Sequence, residues 1–159
     1  MSDRTLPPES RRTLASPRAG VEVIQVRWEA KLGVALVSHP SGLSLTSADE
    51  VQRWSEEVHA KLEAIFQERQ GKFPIVVCVD GFYIRPTVAA LYGRVVSAYS
   101  ERFASGLARY VHKPNGVGQI ITVAAMKEGY RANLFTTRAD AISHALAEAN
   151  GSKSSKSGA

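Results

Sequence analysis

The sequence has a single cysteine, Cys78, among its 159 residues. One cysteine excludes an intramolecular disulfide and a zinc site built from cysteine pairs. Cys78 lies in a run of apolar residues, where a thiol is usually a small, buried and unreactive core residue. The sequence also lacks any apolar run close to the roughly 20 residues that a membrane-spanning helix needs, so we expect no membrane insertion.

Recognisable catalytic and metal-binding motifs are lacking as well. There is no GxSxG, HExxH or phosphate-loop lysine motif, and Gly116-x-Gly118 lacks the further glycine and the lysine of a phosphate cradle. The histidines are too dispersed along the chain for a local metal motif: His39, His59, His112 and His144. We therefore expect no enzyme activity, no metal site and no cofactor.

The net charge of +5 is not concentrated in one part of the central chain. Residues 1–20 contribute +2 and residues 151–159 another +2, so the residues between them carry only +1. Within that stretch, residues 21–80 sum to −3 and residues 81–150 to +4, the latter from dispersed single cations. A duplex-binding domain concentrates Lys and Arg on one face or one helix. We therefore expect no specific nucleic-acid binding.

The two ends of the sequence differ in composition from the middle. Residues 1–20 contain three of the seven prolines, four arginines and few large apolar groups, which is typical of disorder. Residues 151–159 read GSKSSKSGA, which is typical of a flexible tail. We expect a disordered basic segment over 1–20, one domain over 21–150 and a flexible tail over 151–159. No secretory or transit pattern is recognisable, so the expected location is the cytoplasm.

The first half of the domain predicts a hairpin, a helix and a buried strand. Residues 21–28 alternate in polarity and residues 34–38 are β-branched, which favours two paired strands. Ser47 and Glu50 have capping-box spacing, and the apolar residues that follow recur at helical intervals, with Trp54 among the expected core residues. Residues 74–80 form a continuous apolar run that ends in Asp80 and predicts the central strand of a sheet.

Asp80 is the first candidate site residue, because it follows the predicted central strand and precedes Gly81. This end of a strand is where α/β proteins place catalytic, metal-binding or phosphate-accepting carboxylates. A phosphoreceiver would also have acidic residues closing its first strand, and neither Arg27-Trp28 nor Ser38-His39 supplies one. The simpler interpretation is a turn residue that accepts backbone hydrogen bonds.

A second helix is predicted from Thr87, which would cap it after Pro86. Two stripes of apolar or small residues run along this helix: Val88, Tyr92, Val95 and Tyr99, and then Ala89, Gly93, Val96 and Ser100. One stripe is enough to cover a sheet, so the second is expected to meet either a partner or other helices of the same domain. If a partner covers it, a bulky charge at Gly93 should abolish association and leave the fold intact.

The last third predicts a strand over 107–112, a short strand over 133–136 and a final helix. Thr137 and Asp140 are expected to cap that helix, and Gly151 to close it. The segment 116–128 is ambiguous between helix and strand, because Asn115-Gly116 suits a hairpin turn and also a helix start. A helix is favoured there, which gives the order β-β-α-β-α-β-α-β-α and an α/β sheet with helices packed on it.

From about residue 21 to 149 the chain resembles the STAS superfamily, and within it the SpoIIAA-like, anti-sigma-factor-antagonist group. The likeness lies in the opening hairpin, the helix LTSADEVQRWSEEVHAKLE, the strand PIVVCVD, the helix RPTVAALYGR and the closing LFTTRADAISHAL. Layout carries the resemblance more than motifs do. Where antagonists have an Asp-Ser-Ser-Gly signature, this chain has Ile84, Arg85, Pro86 and Thr87.

The resemblance implies a non-enzymatic regulatory module of bacterial signalling. Such domains bind a protein partner near the amino end of the second helix, which here corresponds to the loop 81–87 and the helix 87–103. The expected partner-binding residues, for a second protein or a second copy, are Asp80, Phe82, Tyr83, Arg85, Thr87, Ala89, Gly93 and Val96. Thr87 is the nearby hydroxyl that would accept phosphate, favoured by the helix dipole and Arg85.

Two other classes of function stay open. Sec14-like relatives of the fold imply a small-molecule or lipid-binding domain with a pocket near Asp80, Phe82 and Tyr83. An enzyme would need other titratable groups around Asp80.

Overall fold

The computed structural model describes residues 24–40, 42–112, 121–122 and 133–158. Within these residues the chain forms seven strands, three long helices and one short 3₁₀ turn. The strands are β1 (Gln25–Glu29), β2 (Val34–Ser38), β3 (Leu43–Leu45), β4 (Phe73–Cys78), β5 (Phe82–Ile84), β6 (Ala104–Tyr110) and β7 (Leu134–Phe135). The helices are α1 (Ala48–Arg69), α2 (Ala89–Phe103), preceded by the 3₁₀ turn Pro86–Val88, and α3 (Arg138–Gly158).

Five strands form a mostly parallel sheet in the order β1-β2-β4-β6-β7. The antiparallel hairpin of β1 and β2 is the predicted one, with Arg27 opposite Leu36. Strands β2, β4, β6 and β7 then run parallel to one another. The prediction that β4 is the central strand is confirmed, since it lies third of the five. Its β-branched residues are buried on both faces, as an interior parallel strand requires.

The helices cover the two faces of the sheet unequally. Helices α1 and α2 pack on one face, where they form the larger core cluster with side chains such as Trp54, Ile75 and Tyr92. Helix α3 packs on the other face, where Ala141 and Ala145 meet Val34, Val76 and Ala108 in a smaller cluster. Among the described residues α3 is the helix that covers this face, and the β1 residues Gln25 and Arg27 stay exposed.

The close approach of α3 to the sheet depends on Gly106 of β6. A Cβ at Gly106 would overlap the backbone carbonyl oxygen of Ala145 and lie 3.1 Å from the backbone nitrogen of Ala149. Neither backbone atom can move aside without shifting the helix. The alanines on this side of α3 have the same effect, since small side chains let the helix lie close to the strand.

The predicted start of α1 is confirmed in detail. Ser47 is the N-cap, and its hydroxyl oxygen accepts a hydrogen bond from the backbone N–H of Glu50 at 3.2 Å. The Glu50 carboxylate in turn accepts from the backbone N–H of Thr46 at 2.7 Å and from its hydroxyl at 2.8 Å. These bonds hold the pKa of Glu50 below its ordinary value. Trp54 is buried, as predicted.

Several predicted boundaries differ from the observed ones. The short parallel ribbon of β3 and β5 was not predicted, because three-residue strands lie below the length at which alternation is recognisable. Thr87 is not the cap of α2, because Pro86 begins a 3₁₀ turn in which Thr87 is the second residue, and α2 starts at Ala89 with no side-chain cap. Gly151 does not end α3, which continues to Gly158, since no proline stops it and serine and lysine both tolerate a helix.

Some predictions fall outside the described residues. These are the disordered segment 1–20, the first residues of the opening strand, and most of the segment 116–128, of which only Ile121 and Thr122 are described, in helical conformation. In the part of the chain that the structure does describe, no helix has both the length and the apolar character needed to cross a bilayer.

Candidate functional site

The carboxyl ends of β4 and β6 meet at Asp80 and His112. One Asp80 carboxylate oxygen accepts the backbone N–H of His112 at 2.9 Å, and the other lies 2.8 Å from the Nδ1 atom of the His112 ring. Gly81, which follows, has φ +73°, a left-handed conformation that suits glycine. Asp80 therefore acts as a turn residue that accepts a backbone hydrogen bond, as its simpler interpretation proposed, and it also orients an imidazole ring.

Cys78 and Tyr110 extend this cluster toward the α3 face of the sheet. The Cys78 thiol lies 3.6 Å from the Asp80 carboxylate, and the Tyr110 ring lies edge-on to the His112 ring with centroids 5.3 Å apart. Burial raises the pKa of the Cys78 thiol. Burial, reinforced by the neighbouring Cys78, raises the pKa of Tyr110 to about 12. Cys78 is half-buried rather than a fully buried core residue, because the sheet ends beside it.

The chemistry open to this cluster follows from its protonation. At neutral pH a thiol and a phenol whose pKa values are raised both stay protonated, so they act as hydrogen-bond donors rather than nucleophiles or bases. Titratable groups do surround Asp80, which is the arrangement we expected of an enzyme. They do not, however, place an activated nucleophile beside the His112 imidazole. No group of three or more metal-ligating side chains occurs among the residues that the structure describes.

A buried aromatic cluster lies under the loop that follows Asp80. His39 stacks on Phe82 with ring centroids 4.8 Å apart and planes within 3° of parallel. The Trp54 indole N–H points at the Nε2 atom of His39 at 3.4 Å. Burial lowers the pKa of His39 to about 4, although the backbone carbonyl of Cys78 acts in the opposite direction. His39 is therefore a neutral core side chain at pH 7, and it fixes the position of Phe82.

The loop 81–87 carries alternating buried and exposed side chains. Phe82 and Ile84 are fully buried, whereas Tyr83 between them is 44% exposed. Tyr83 is the one exposed large hydrophobic side chain among the described residues. The parallel pairing of β5 with β3 produces this alternation, because successive side chains of a strand point to opposite sides.

The exposed residues continue from Tyr83 to the amino end of α2. Arg85, Pro86 and Thr87 are all exposed. Backbone hydrogen bonds hold the loop here: the Arg85 N–H donates to the Leu45 carbonyl at 2.9 Å, and the Val88 N–H donates to the Arg85 carbonyl at 3.0 Å. Tyr83, Arg85 and Thr87 therefore form an exposed patch on a fixed backbone, which we call the loop patch.

Three of the four residues in the second stripe of α2 are buried, and the fourth, Ser100, is half-buried. Ala89 and Gly93 are buried, and Val96 has no exposed area. The premise that one side of this helix stays uncovered by its own chain is wrong for these three residues. Tyr92 and Tyr99 are buried too, so both stripes face the chain's own core. A sequence pattern cannot show how many sides of a helix the rest of the domain covers.

The structure thus divides the eight predicted partner-binding residues into two sets. Tyr83, Arg85 and Thr87 are exposed and Asp80 is half-buried, so these four lie where another molecule has access. The other four are buried inside the chain: Phe82, Ala89, Gly93 and Val96. Partner contact by the buried set stays a prediction, and it has no exposed surface to support it.

Sequence reasoning missed two members of the cluster at the sheet end, Tyr110 and His112. The signal that would have found them is the parallel pairing of β4 with β6, since Cys78 lies opposite Tyr110 and the chain then brings His112 beside Asp80. It also missed an open groove of about 450 Å³ between α1 and α2, lined by His59, Ala60, Glu63, Ala98, Arg102 and Phe103.

No protein-family model, curated protein or solved structure matches this chain. What the structure establishes is a mixed α/β fold with a mostly parallel sheet.

Proposed function

We propose that this chain is a cytoplasmic, non-enzymatic regulatory module of bacterial signalling, of STAS type, which binds a partner protein through the loop patch. The single observation that carries the proposal is the exposed Tyr83 side chain between two fully buried neighbours. A second copy of the chain is the other partner that this module would accept. The proposed contact surface comprises the loop 81–87 and the first exposed turn before α2.

The chemistry of the loop patch supports a protein partner. Tyrosine and arginine are enriched among the residues that dominate protein interfaces, because each offers a large contact area together with hydrogen-bond donors. Tyr83 and Arg85 are two residues apart, and both project from a backbone that is hydrogen-bonded to β3. A preformed surface loses little conformational entropy when it binds, which favours affinity.

The state of the Asp80 cluster supports binding rather than catalysis. The Cys78 thiol and the Tyr110 phenol are both held in their neutral, donor form, as their raised pKa values require. One Asp80 carboxylate oxygen accepts the His112 backbone N–H, and the other contacts the His112 ring and lies 3.6 Å from the Cys78 thiol. The cluster therefore ties the end of β4 to the end of β6 and fixes the point from which the loop patch begins.

Thr87 is the residue through which this module would be regulated. Its side chain is exposed in the 3₁₀ turn that leads into α2, two residues after Arg85. A phosphate there would add about two negative charges near a helix amino terminus and a guanidinium, and both favour it. Mass spectrometry of protein purified from its native cell should detect phosphate on Thr87, and unmodified Thr87 under all growth conditions would remove this regulation.

Affinity purification from the native cell tests the binding proposal. We expect the wild-type chain to retain a defined partner, or a second copy, and the double variant Tyr83→Ala, Arg85→Ala to lose it. The matched control is Gln52→Ala, Arg53→Ala, which removes two exposed side chains from α1. Both variants should unfold at the wild-type temperature. Equal partner recovery with the loop-patch variant and the control would contradict the proposal.

The second candidate function is a small-molecule or lipid-binding domain of the same fold. The groove between α1 and α2 favours it, because about 450 Å³ falls in the size range of ligand pockets. This groove lies between the helices, at Ala98 and Phe103, rather than at Asp80, Phe82 and Tyr83 as the sequence predicted. Oleate should raise the melting temperature of the wild type and not of Ala98→Trp, which fills the groove; equal effects would argue against this function.

A further inference from the structure

A small polar cavity lies on the α3 face of the sheet, at the carboxyl ends of β2, β4 and β6. Its volume is about 80 Å³, and its apolar lining residues are Leu36, Val37 and Val76. Its polar lining comes from four different elements: Gln25, Arg27, Ser38, Tyr110 and Arg138. The loop patch belongs to the α1 and α2 side of the sheet, so this cavity is a separate feature.

The polar groups that line the cavity are predominantly hydrogen-bond donors. Arg27 and Arg138 carry permanent positive charges, and no carboxylate is among the lining residues. Tyr110 is a neutral phenol at pH 7, and its hydroxyl also shares a hydrogen bond with the Cys78 thiol. One carboxylate pairs with a lining cation, since Glu29 lies 3.4 Å from the Arg27 guanidinium at an exposed position, whereas Asp80 bonds His112. Two cations with neutral donors around a small space form a site that attracts an anion.

We propose that this cavity binds a phosphate group, either as the free ion or as the monoester of a larger molecule that extends into solvent. The polar lining residues come from β1, β2, β6 and α3, on different sides of the space, which suits a tetrahedral oxyanion with several acceptor oxygens. A planar carboxylate would need only one bidentate arginine. The volume admits a group of a few heavy atoms and is well below the roughly 300 Å³ of a pocket for a whole nucleotide-sized ligand.

The position of α3 adds to the attraction. Arg138 is the first residue of this 21-residue helix, so the positive end of the helix dipole borders the cavity. The Thr137 hydroxyl oxygen already accepts the N–H of Asp140 at 3.1 Å, which caps the helix and keeps its first turn in place. The bound phosphate would therefore link α3 to the β1–β2 hairpin.

Titration of the ¹⁵N-labelled full chain with inorganic phosphate, followed by NMR at constant ionic strength, tests the proposal. We expect saturable shifts at the backbone amides of Ser38, Tyr110 and Arg138. Since Arg138→Gln removes a charge-assisted hydrogen bond, it should weaken phosphate binding by about tenfold or more. The double variant Arg27→Gln, Arg138→Gln should abolish it. The matched control Arg53→Gln, an exposed arginine of α1, removes the same charge and should bind like the wild type.

Three further arms identify the ligand class and its source. Acetate should bind at least about tenfold more weakly than phosphate. Glycerol 3-phosphate should bind if the natural ligand is a free monoester. Vesicles that contain phosphatidic acid should bind only if the phosphate comes from a lipid headgroup. Either result supports a phosphate site. The proposal is overturned by shifts that chloride reproduces, by acetate binding as tightly as phosphate, or by equal affinities of the wild type and the double variant.

Discussion

His39 lies face to face with Phe82, with 4.8 Å between ring centroids and 3° between ring planes, inside the core beneath the loop patch. The same histidine ring receives the Trp54 indole N–H. Phe82 is the residue directly before Tyr83, so the stack sets the direction in which Tyr83 leaves the surface. A buried titratable ring thus supports the proposed binding surface.

The stack makes stability depend on pH. The pKa of His39 is about 4 in the folded chain and 6.5 in the unfolded chain, so between these values the unfolded state binds more protons. Stability should therefore fall as pH drops from about 6.5 to 4, by up to about 3 kcal/mol from this one group. Urea unfolding of wild type and His39→Phe across this range measures the difference. Parallel pH profiles would show that His39 does not contribute.

Replacing Gly106, where α3 crosses β6, should destabilise the folded chain. Gly106→Ala places a methyl group against the backbone of Ala145, and the helix must shift to admit it. We expect a loss of about 1–3 kcal/mol in the free energy of unfolding, measured in urea. Gly151→Ala is the matched control, because a Cβ there meets nothing within 4 Å; this change should be neutral or add up to about 1 kcal/mol. Equal effects of the two changes would refute the close packing.

The fold was predictable where local chemistry determines it. The Ser47 and Glu50 spacing located the start of α1, and the apolar run of β4 identified the central strand, because each depends on residues close together in sequence. The ends of α2 and α3 were predicted less well. Pro86 and Gly151 are weak indicators of where a helix begins or ends. Pro86 starts a 3₁₀ turn instead of α2, and α3 continues through Gly151, because contacts elsewhere in the structure determine these boundaries.

The candidate site was predictable only in part. Asp80 was found because it follows one strand directly, whereas Tyr83, Arg85 and Thr87 were expected from the family resemblance of the loop before α2. Predicting His112 and the cavity at Arg138 would have required knowledge of the pairing of β4 with β6 and of the packing of α3 on the sheet. Both are contacts between distant parts of the chain. The burial of Gly93 was missed for the same reason.

Asp80 should hold the carboxyl ends of β4 and β6 together, in addition to lying next to the loop patch. Asp80→Ala leaves the His112 N–H without its acceptor, so we expect a loss of about 1–2 kcal/mol in stability and faster hydrogen exchange at that amide. His112→Ala removes the ring contact but keeps the backbone bond, so exchange at residue 112 should stay slow. Fast exchange in the His112→Ala variant would show that the imidazole contact, and not the backbone hydrogen bond, holds the two strand ends together.

Gly93 should be needed for folding rather than for association. Gly93→Glu inserts a carboxylate at a buried position, which we expect to destabilise the chain by about 4 kcal/mol or more, enough to unfold much of it. Ala98→Glu, an exposed position of the same helix, should change stability by about 0.5 kcal/mol or less. Circular dichroism and urea unfolding report both. A folded Gly93→Glu variant would restore the expectation of an uncovered helix face.

Photocrosslinking in the native cell tests the central claim most directly. Benzoylphenylalanine replaces Tyr83 in one strain and Arg53 of α1 in another, and both sites are exposed. We expect irradiation to link the chain at position 83 to one defined protein, or to a second copy, and to yield no such product from position 53. The same products from both positions, or none from position 83 in a folded and expressed chain, would contradict a binding surface at this loop.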